Sequence, residues 1–255
     1  MNDAVTMVRR NTKHTLRNPS TMIMTIALPV ILLLLFVGVF GGALSAGLGP
    51  AGQSGDYIDY LVAGILLMTV GYGSTTTAMA VNRDMTAGII NRFRTMGISR
   101  TAVLTGHVVG SSVRTLISAA LVVGVALLLG FRPTGDPVRW LAVLGLLTLL
   151  VLALTWLAVA VGLLAKTAEG TGPFVFIVQL LPFLSSAFVS PETMSAPVRW
   201  FATHEPFTPI IDALRGLLLD TPIKDGGLLA VAWCAGLGLA GYLWSRMLFK
   251  RDPSR

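Results

Sequence analysis

Charge is scarce in this 255-residue chain. Asp, Glu, Lys and Arg make up 12% of it, against roughly 25% in a soluble domain. With 54% hydrophobic residues and a mean hydropathy of +0.75, that scarcity argues against a water-soluble globule, which cannot hide so much apolar surface. Cysteine is almost absent. Cys234 stands alone, so an intrachain disulfide and a thiolate metal cluster are both excluded, and it reads as a small apolar helix residue. The three histidines, His14, His107 and His204, are far apart and show no HExxH spacing. His204 and Glu205 are adjacent, which reads as a solvated or capping pair. The chain also lacks a P-loop, whose glycines and lysine cradle nucleotide phosphates. The nearest string runs from Gly162 to Lys166 and Thr167, but Ala165 replaces the second glycine. No GxSxG elbow occurs, and no nucleophile, base and orienter converge as an intramembrane enzyme would require. No catalytic, cofactor or metal residue is assigned.

What the chain has is apolar length. A helix needs about 20 apolar residues to cross the hydrocarbon. Six such blocks occur, near 20–42, 58–82, 104–130, 139–164, 172–189 and 226–248. The first begins near Thr21 and exceeds a signal h-region of about 7–15 residues, so it reads as a retained span. Pro29 lies inside it and predicts a kink. Residues 1–19 read as an amphipathic interfacial helix, with Val5, Val8, Thr12 and Leu16 on one side and Arg10, Lys13 and Arg17 on another. A short solvated basic tail is the alternative. Residues 190–225 hold five of the 13 prolines and five of the 12 acids, so this stretch is not a simple span.

The net charge of +7 reflects topology rather than nucleic-acid binding. An even number of spans puts both termini on one side. That side carries Arg9, Arg10, Lys13, Arg17, Arg83, Arg92, Arg94, Arg100, Lys166, Arg246, Lys250, Arg251 and Arg255. The other side carries Arg132, Arg139, Arg199, Arg215 and Lys224. The positive-inside rule then predicts an inner-membrane, multi-pass protein with both termini cytoplasmic. Arg114 falls within the third span. A centrally placed Arg costs about 2.5–3.5 kcal/mol on insertion scales, so snorkelling or a partner chain is expected to relieve it.

Two intramembrane stretches are candidates for a pathway. The run Gly71 to Thr77 makes the second span unusually polar, and small and hydroxyl residues serve either helix packing or a lining. Tyr72, Ser74 and Thr75 are its pathway candidates. The fifth span carries Phe174, Phe176, Gln179, Pro182, Phe183 and Phe188. An aromatic stripe with one amide suits an amphiphile, or lipid. Phe176, Gln179 and Phe183 are the candidates there. On the cytoplasmic side, residues 84–100 form a short amphipathic helix. Met85, Ile89, Phe93 and Met96 share one side, and Asp84, Ala87, Asn91 and Arg94 the other. Such a helix either lies at the interface or inserts into a groove on a soluble partner.

This segment resembles the coupling-helix region of ABC-2 permeases, particularly the daunorubicin-resistance type of drug exporter. That family shows an acidic residue, a glycine and an R-F-R run before a P-x-S-R-like turn. Here stand Asp84, Gly88, Arg92-Phe93-Arg94 and Ile98-Ser99-Arg100, with Gly97 where proline is usual. Gly106, Arg114 and Gly130-Phe131-Arg132 also fit the pattern. A second match runs through Pro191-Glu192-Thr193-Met194, Trp200-Phe201, Glu205-Pro206-Phe207-Thr208 and Ala213-Leu214-Arg215. The family usually has Asn or Gln at position 205. The resemblance covers nearly the whole chain and implies an all-α integral membrane protein of one domain, 1–255. It would have six transmembrane helices, a coupling helix over 84–100 and two short extracellular re-entrant helices within 190–225. It further implies a dimer of permeases in membrane lipid. A separate ATP-binding cassette ATPase would hold the ATP and Mg and dock on Asp84, Gly88, Ile89, Arg92, Phe93, Arg94, Met96 and Arg100. The expected activity is outward transport of an amphiphilic drug, natural product or lipid. An intramembrane enzyme or a structural or sensory membrane protein is the alternative.

Overall fold

The computed structural model describes residues 19–39, 57–87, 100–223 and 226–251, with side chains placed over 26–39, 57–87, 104–223 and 226–248. The expected interfacial helix (residues 1–18 of it) and residues 88–99 of the coupling segment lie outside the described residues. All regular structure among the described residues is helical. The helices are α1 (Pro19–Gly38), α2 (Tyr57–Thr86), α3 (Arg100–Leu128), α4 (Pro137–Leu164), α5 (Gly172–Leu180), α6 (Ala196–His204), α7 (Phe207–Leu219) and α8 (Gly226–Arg251). Four of them, α2, α3, α4 and α8, are long and apolar enough to cross a membrane. The protein is thus all-α and multi-pass. The 20 residues of α1 continue through Pro29 and reach about 30 Å at 1.5 Å per residue.

The fifth apolar block departs from a single span. A nine-residue α5 passes into a 3-10 turn, Leu181–Leu184, and then into turns over 185–188. Pro182 brings no amide to an α-helical ladder, and the buried Ser185 hydroxyl donates back to the Pro182 carbonyl at 2.7 Å. Residues 172–184 together extend about 20 Å, short of the roughly 30 Å hydrocarbon core.

At the other end of the expected coupling helix, α2 runs on to Thr86 without a break. Asp84 therefore belongs to the last turn of the long helix rather than to the start of a separate one. Asn82 holds this end, donating from Nδ2 to the Ala165 carbonyl at 2.6 Å. Residues 190–223 hold a 3-10 turn, Pro191–Thr193, and the two short helices α6 and α7. α7 ends at Asp220 in the left-handed conformation, φ 58°.

Central to the bundle is α2, packed against α1, α3, α4, α5 and α7. Close approach there depends on small residues, because lipid supplies no hydrophobic force between helices. Gly64 abuts Ala187, Gly71 abuts Val178, and Gly73 abuts Thr115. The most extensive contact joins α4 and α8. Gly241 lies against the backbone of Trp156 and Leu157, and Gly238 against Ala153. Trp156 and Tyr242 close the same contact edge to face at 5.0 Å. The main apolar core gathers Leu61, Leu66, Leu150, Ile210 and Leu214, and a smaller one gathers Val81, Leu104, Val108 and Val159. Exposed leucines on α1, α3, α4 and α8 are what a lipid-facing surface requires.

Candidate functional site

Along the contact of α2 with α3 runs a polar seam. The pairing shows the two helices antiparallel, since partners fall on α2 as they rise on α3. Asp84 Oδ2 meets His107 Nε2 at 3.2 Å near the α2 C-terminus. One turn deeper, Thr77 Oγ1 and Ser111 Oγ share a short hydrogen bond. Arg114 Nη2 then donates to Thr76 Oγ1 at 3.0 Å and to Ser111 Oγ at 3.1 Å. Thr115 packs on Gly73 beyond it. Ser118 Oγ donates to the Arg114 carbonyl at 3.0 Å. Hydroxyls therefore stabilise the buried guanidinium locally, a solution that sequence reasoning missed. The residues were in view, Thr76 and Thr77 within the polar run and Arg114 within its span, but their pairing depends on helix register.

A second polar cluster lies where α7 meets α2. Arg215 donates from Nη1 to Asp212 Oδ1 at 2.8 Å, from Nη2 to the Ser186 carbonyl at 2.7 Å, and from Nε to the Tyr60 carbonyl at 3.2 Å. Its guanidinium sits 3.6 Å from the Tyr60 ring centroid, a cation–π contact. Ser186 Oγ also donates to Asp212 Oδ1 at 2.7 Å. These groups line a hollow of about 460 Å³ that Glu192 and Arg199 also border. Arg199 is spent on backbone, donating to the carbonyls of Pro191, Glu192 and Met194. Arg215 and Tyr60 hold α7 and the Ser186 turn to α2, and the other polar groups tie this region to itself, so the cluster reads as a structural clamp.

Of the solvated and capping roles open to it, Glu205 takes the capping one. Its Oε2 accepts from the Phe207 amide at 2.7 Å and its Oε1 from the Thr208 amide, two orphan donors of α7. Burial raises its carboxyl above the usual range, against the lowering effect of those hydrogen bonds. A carboxyl raised on folding holds its proton more tightly in the native state. Between the ordinary and the raised value, stability therefore falls as pH rises. Glu205→Gln keeps an acceptor and is expected to flatten that slope. Glu205→Ala is expected to lose about 1 kcal/mol at low pH and less as pH rises. Thermal midpoints between pH 4 and 8 test this, and identical slopes for wild type and Glu205→Gln would refute it.

The sequence-predicted residues separate into distinct places. Among the coupling residues, Asp84 pairs with His107 and Arg100 opens α3. Gly88, Ile89, Arg92, Phe93, Arg94 and Met96 lie outside the described residues. Ser74 and Thr75 are buried, and their hydroxyls donate to the carbonyls of Gly71 at 2.7 Å and Tyr72 at 2.9 Å. Tyr72 is half-buried. On α5 and its 3-10 turn, Phe176 and Phe183 are exposed, and Gln179 is half-buried. The stripe does not extend to Phe188, which turns inward and stacks on Phe36 at 4.5 Å and Phe183 at 4.9 Å. Among the described residues no three His, Cys, Asp or Glu side chains group as metal ligands would.

Comparison with known proteins gives this arrangement its context. The ABC-2 type transporter family model matches residues 3–219. A daunorubicin resistance ABC transporter permease protein of Streptomyces coeruleorubidus is 30% identical over 226 residues, covering 87% of this chain and 76% of the relative. A "probable doxorubicin resistance ABC transporter permease protein" of Mycobacterium tuberculosis is 25% identical over 223 residues, covering 87% of this chain and 78% of the relative. Long apolar helices, a sequence without a P-loop and a family match over most of the length agree. The chain belongs to the ABC-2 type transporter family, as a non-catalytic membrane permease subunit that works with a partner ATPase.

Proposed function

We infer that this permease exports an amphiphilic molecule across the inner membrane, as a dimer driven by ATPase subunits docked on residues 84–100. The polar seam carries this reading. The segment 88–99 joins α2 to α3, and near that junction Asp84, in the last turn of α2, pairs with His107, about two turns into α3. A push on the segment therefore acts at once on the helix pair that holds Thr77, Ser111, Thr76 and Arg114 deeper in the bundle. An amphipathic segment with an R-F-R run is suited to a groove on a soluble partner, and buried polar contacts between helices transmit displacement without slack. The exposed faces of Phe176 and Phe183, with Gln179 beside them, offer an aromatic wall with one amide for the cargo. The drug-resistance names of the two relatives support export of such a molecule. In this reading α1 makes one crossing, the longer run 169–189, helical to 184 and turned beyond it, makes another, and α6 and α7 dip into the outer leaflet. Trp200 and Phe201, both exposed, suit an interface location.

The reading requires both termini and residues 84–100 to be cytoplasmic. In a Cys234→Ala background, Ser54→Cys should react with an impermeant thiol reagent in intact cells, and Ser254→Cys should react only after permeabilisation. Cys234 is fully buried, so its removal costs no exposed contact. The reverse labelling pattern would overturn the orientation and, with it, docking of a cytoplasmic ATPase at 84–100.

A further inference from the structure

Arg114 is the middle residue of the 29-residue α3 and lies well inside its apolar stretch, Leu104–Leu128. Its Nη2 is held by two neutral hydroxyls. Among the described residues no carboxylate pairs with it, and its buried Nε has no hydrogen-bond partner. Hydroxyls orient a guanidinium but do not neutralise it, and an unneutralised cation at membrane depth is costly. Nor do the described residues of a second copy offer the counter-charge from a matching depth. Of the acidic residues described, none falls in the middle of a long helix. Asp59 and Asp84 lie in the first and last turns of α2, and the other described ones fall in connections and the short α7.

The guanidinium is also not sealed in. Arg114 is half-buried, and it meets α2 on the one stripe of that helix's middle that stays half-open, Tyr72, Thr76 and Met79 at i, i+4 and i+7. Neighbouring Gly73, Ser74, Thr75 and Thr77 are buried. A planar donor fork aimed by two hydroxyls, on a stripe of α2 that also carries Tyr72 and Met79, matches a carboxylate or phosphate on an apolar tail.

We propose that Arg114, oriented by Thr76 and Ser111, binds the oxyanion of a lipophilic acid within the membrane, and that this acid is the exported cargo. The cargo assignment rests on the export reading, whereas the anion site does not. The shared chemistry could also be met by the phosphate of a membrane lipid, and the test separates the two.

The full-length chain, without any ATPase, is placed in phosphatidylcholine nanodiscs. Equilibrium binding of dodecyl phosphate is compared with that of dodecanol and dodecylamine. Wild type is expected to bind dodecyl phosphate at least tenfold more tightly than either control. Arg114→Met should abolish that preference. It replaces a buried cation by an apolar chain of similar reach, so insertion should improve rather than fail. Arg114→Lys keeps the charge without the planar fork and should retain part of the preference. An undiminished preference in Arg114→Met, or none in wild type and Arg114→Lys, would overturn the anion site. Dodecyl phosphate binding should be unchanged when a fifth or so of the lipid is phosphatidylglycerol. Competition by that lipid would instead assign the site to a headgroup and overturn the cargo assignment. Because no ATPase is present, failure here leaves ATPase docking untouched, and failure of docking leaves this binding intact.

Discussion

Gly241→Ala is expected to destabilise the protein by about 1–3 kcal/mol or more, the range for overpacking a tight interior. A Cβ at position 241 would lie 2.6 Å from the Leu157 amide nitrogen, 2.9 Å from the Trp156 carbonyl carbon and 3.1 Å from the Leu157 Cα. All three are backbone atoms of α4, so no side chain can swing aside. The helices must separate, and the edge-to-face contact of Trp156 with Tyr242 would be strained with them. This contact is the most extensive in the bundle, and packing is the main force that joins helices in lipid. Gly236 is on the same helix, and a Cβ there meets nothing within 4 Å. Gly236→Ala should therefore match wild type or slightly exceed it. Heating in detergent, followed by size-exclusion of what stays monodisperse, reads the difference. The midpoint of Gly241→Ala should drop by several degrees while that of Gly236→Ala holds. Equal midpoints for the two variants would mean that the α4–α8 approach is not as close as described.

The long helices were legible because the bilayer imposes a length and a composition at once. The expected spans 58–82, 104–130, 139–164 and 226–248 became α2 at 57–86, α3 at 100–128, α4 at 137–164 and α8 at 226–251. The extra turn on α2 was not legible, because Asp84 looks like a polar loop residue until His107 is placed beside it. Hydropathy also cannot see helix phase. It scored 172–189 as a span, although Pro182 and the back-bonded Ser185 end the α-helix early. It placed Phe188 with the outward phenylalanines, although the chain has turned by then and buries it against Phe36.

The polar run in α2 shows how two readings of one stretch can divide residue by residue. Gly71 and Gly73 face close neighbours, and Ser74 and Thr75 satisfy their hydroxyls on their own helix. For these the packing reading describes what the structure contains. Thr76 likewise donates to its own helix, to the Gly73 carbonyl at 2.8 Å, and its oxygen also accepts from Arg114 across the seam. A single sequence carries no information about which helix stands opposite, so Arg114 was visible as a costly residue but its hydroxyl partners were not. Glu205 is the converse case. Its adjacency to His204 left a solvated and a capping role both open, and its local contacts with the amides of Phe207 and Thr208 select the second.

Phe93→Ala is expected to weaken association with the partner ATPase about thirtyfold, since truncating a buried aromatic anchor costs about 2 kcal/mol or more. Phe93 is the largest apolar side chain of the 84–100 segment and stands between Arg92 and Arg94. On the helix proposed for 84–100, Ile89 and Met96 would share its side and hold part of the contact, so the triple alanine variant should lose association altogether. The control must be apolar, exposed and remote. Phe188 does not qualify, because it is only 6% exposed and its loss would open a core cavity at about 3–5 kcal/mol. Trp200 is 65% exposed and stacks only on His204 among the aromatic rings described, so Trp200→Ala should leave assembly unchanged. The direct test is the affinity of the detergent-purified permease for its ATPase, measured for wild type, Phe93→Ala, the triple variant and Trp200→Ala. The account predicts tight, about thirtyfold weaker, absent and tight binding in that order. Wild-type affinity in the triple variant would contradict it.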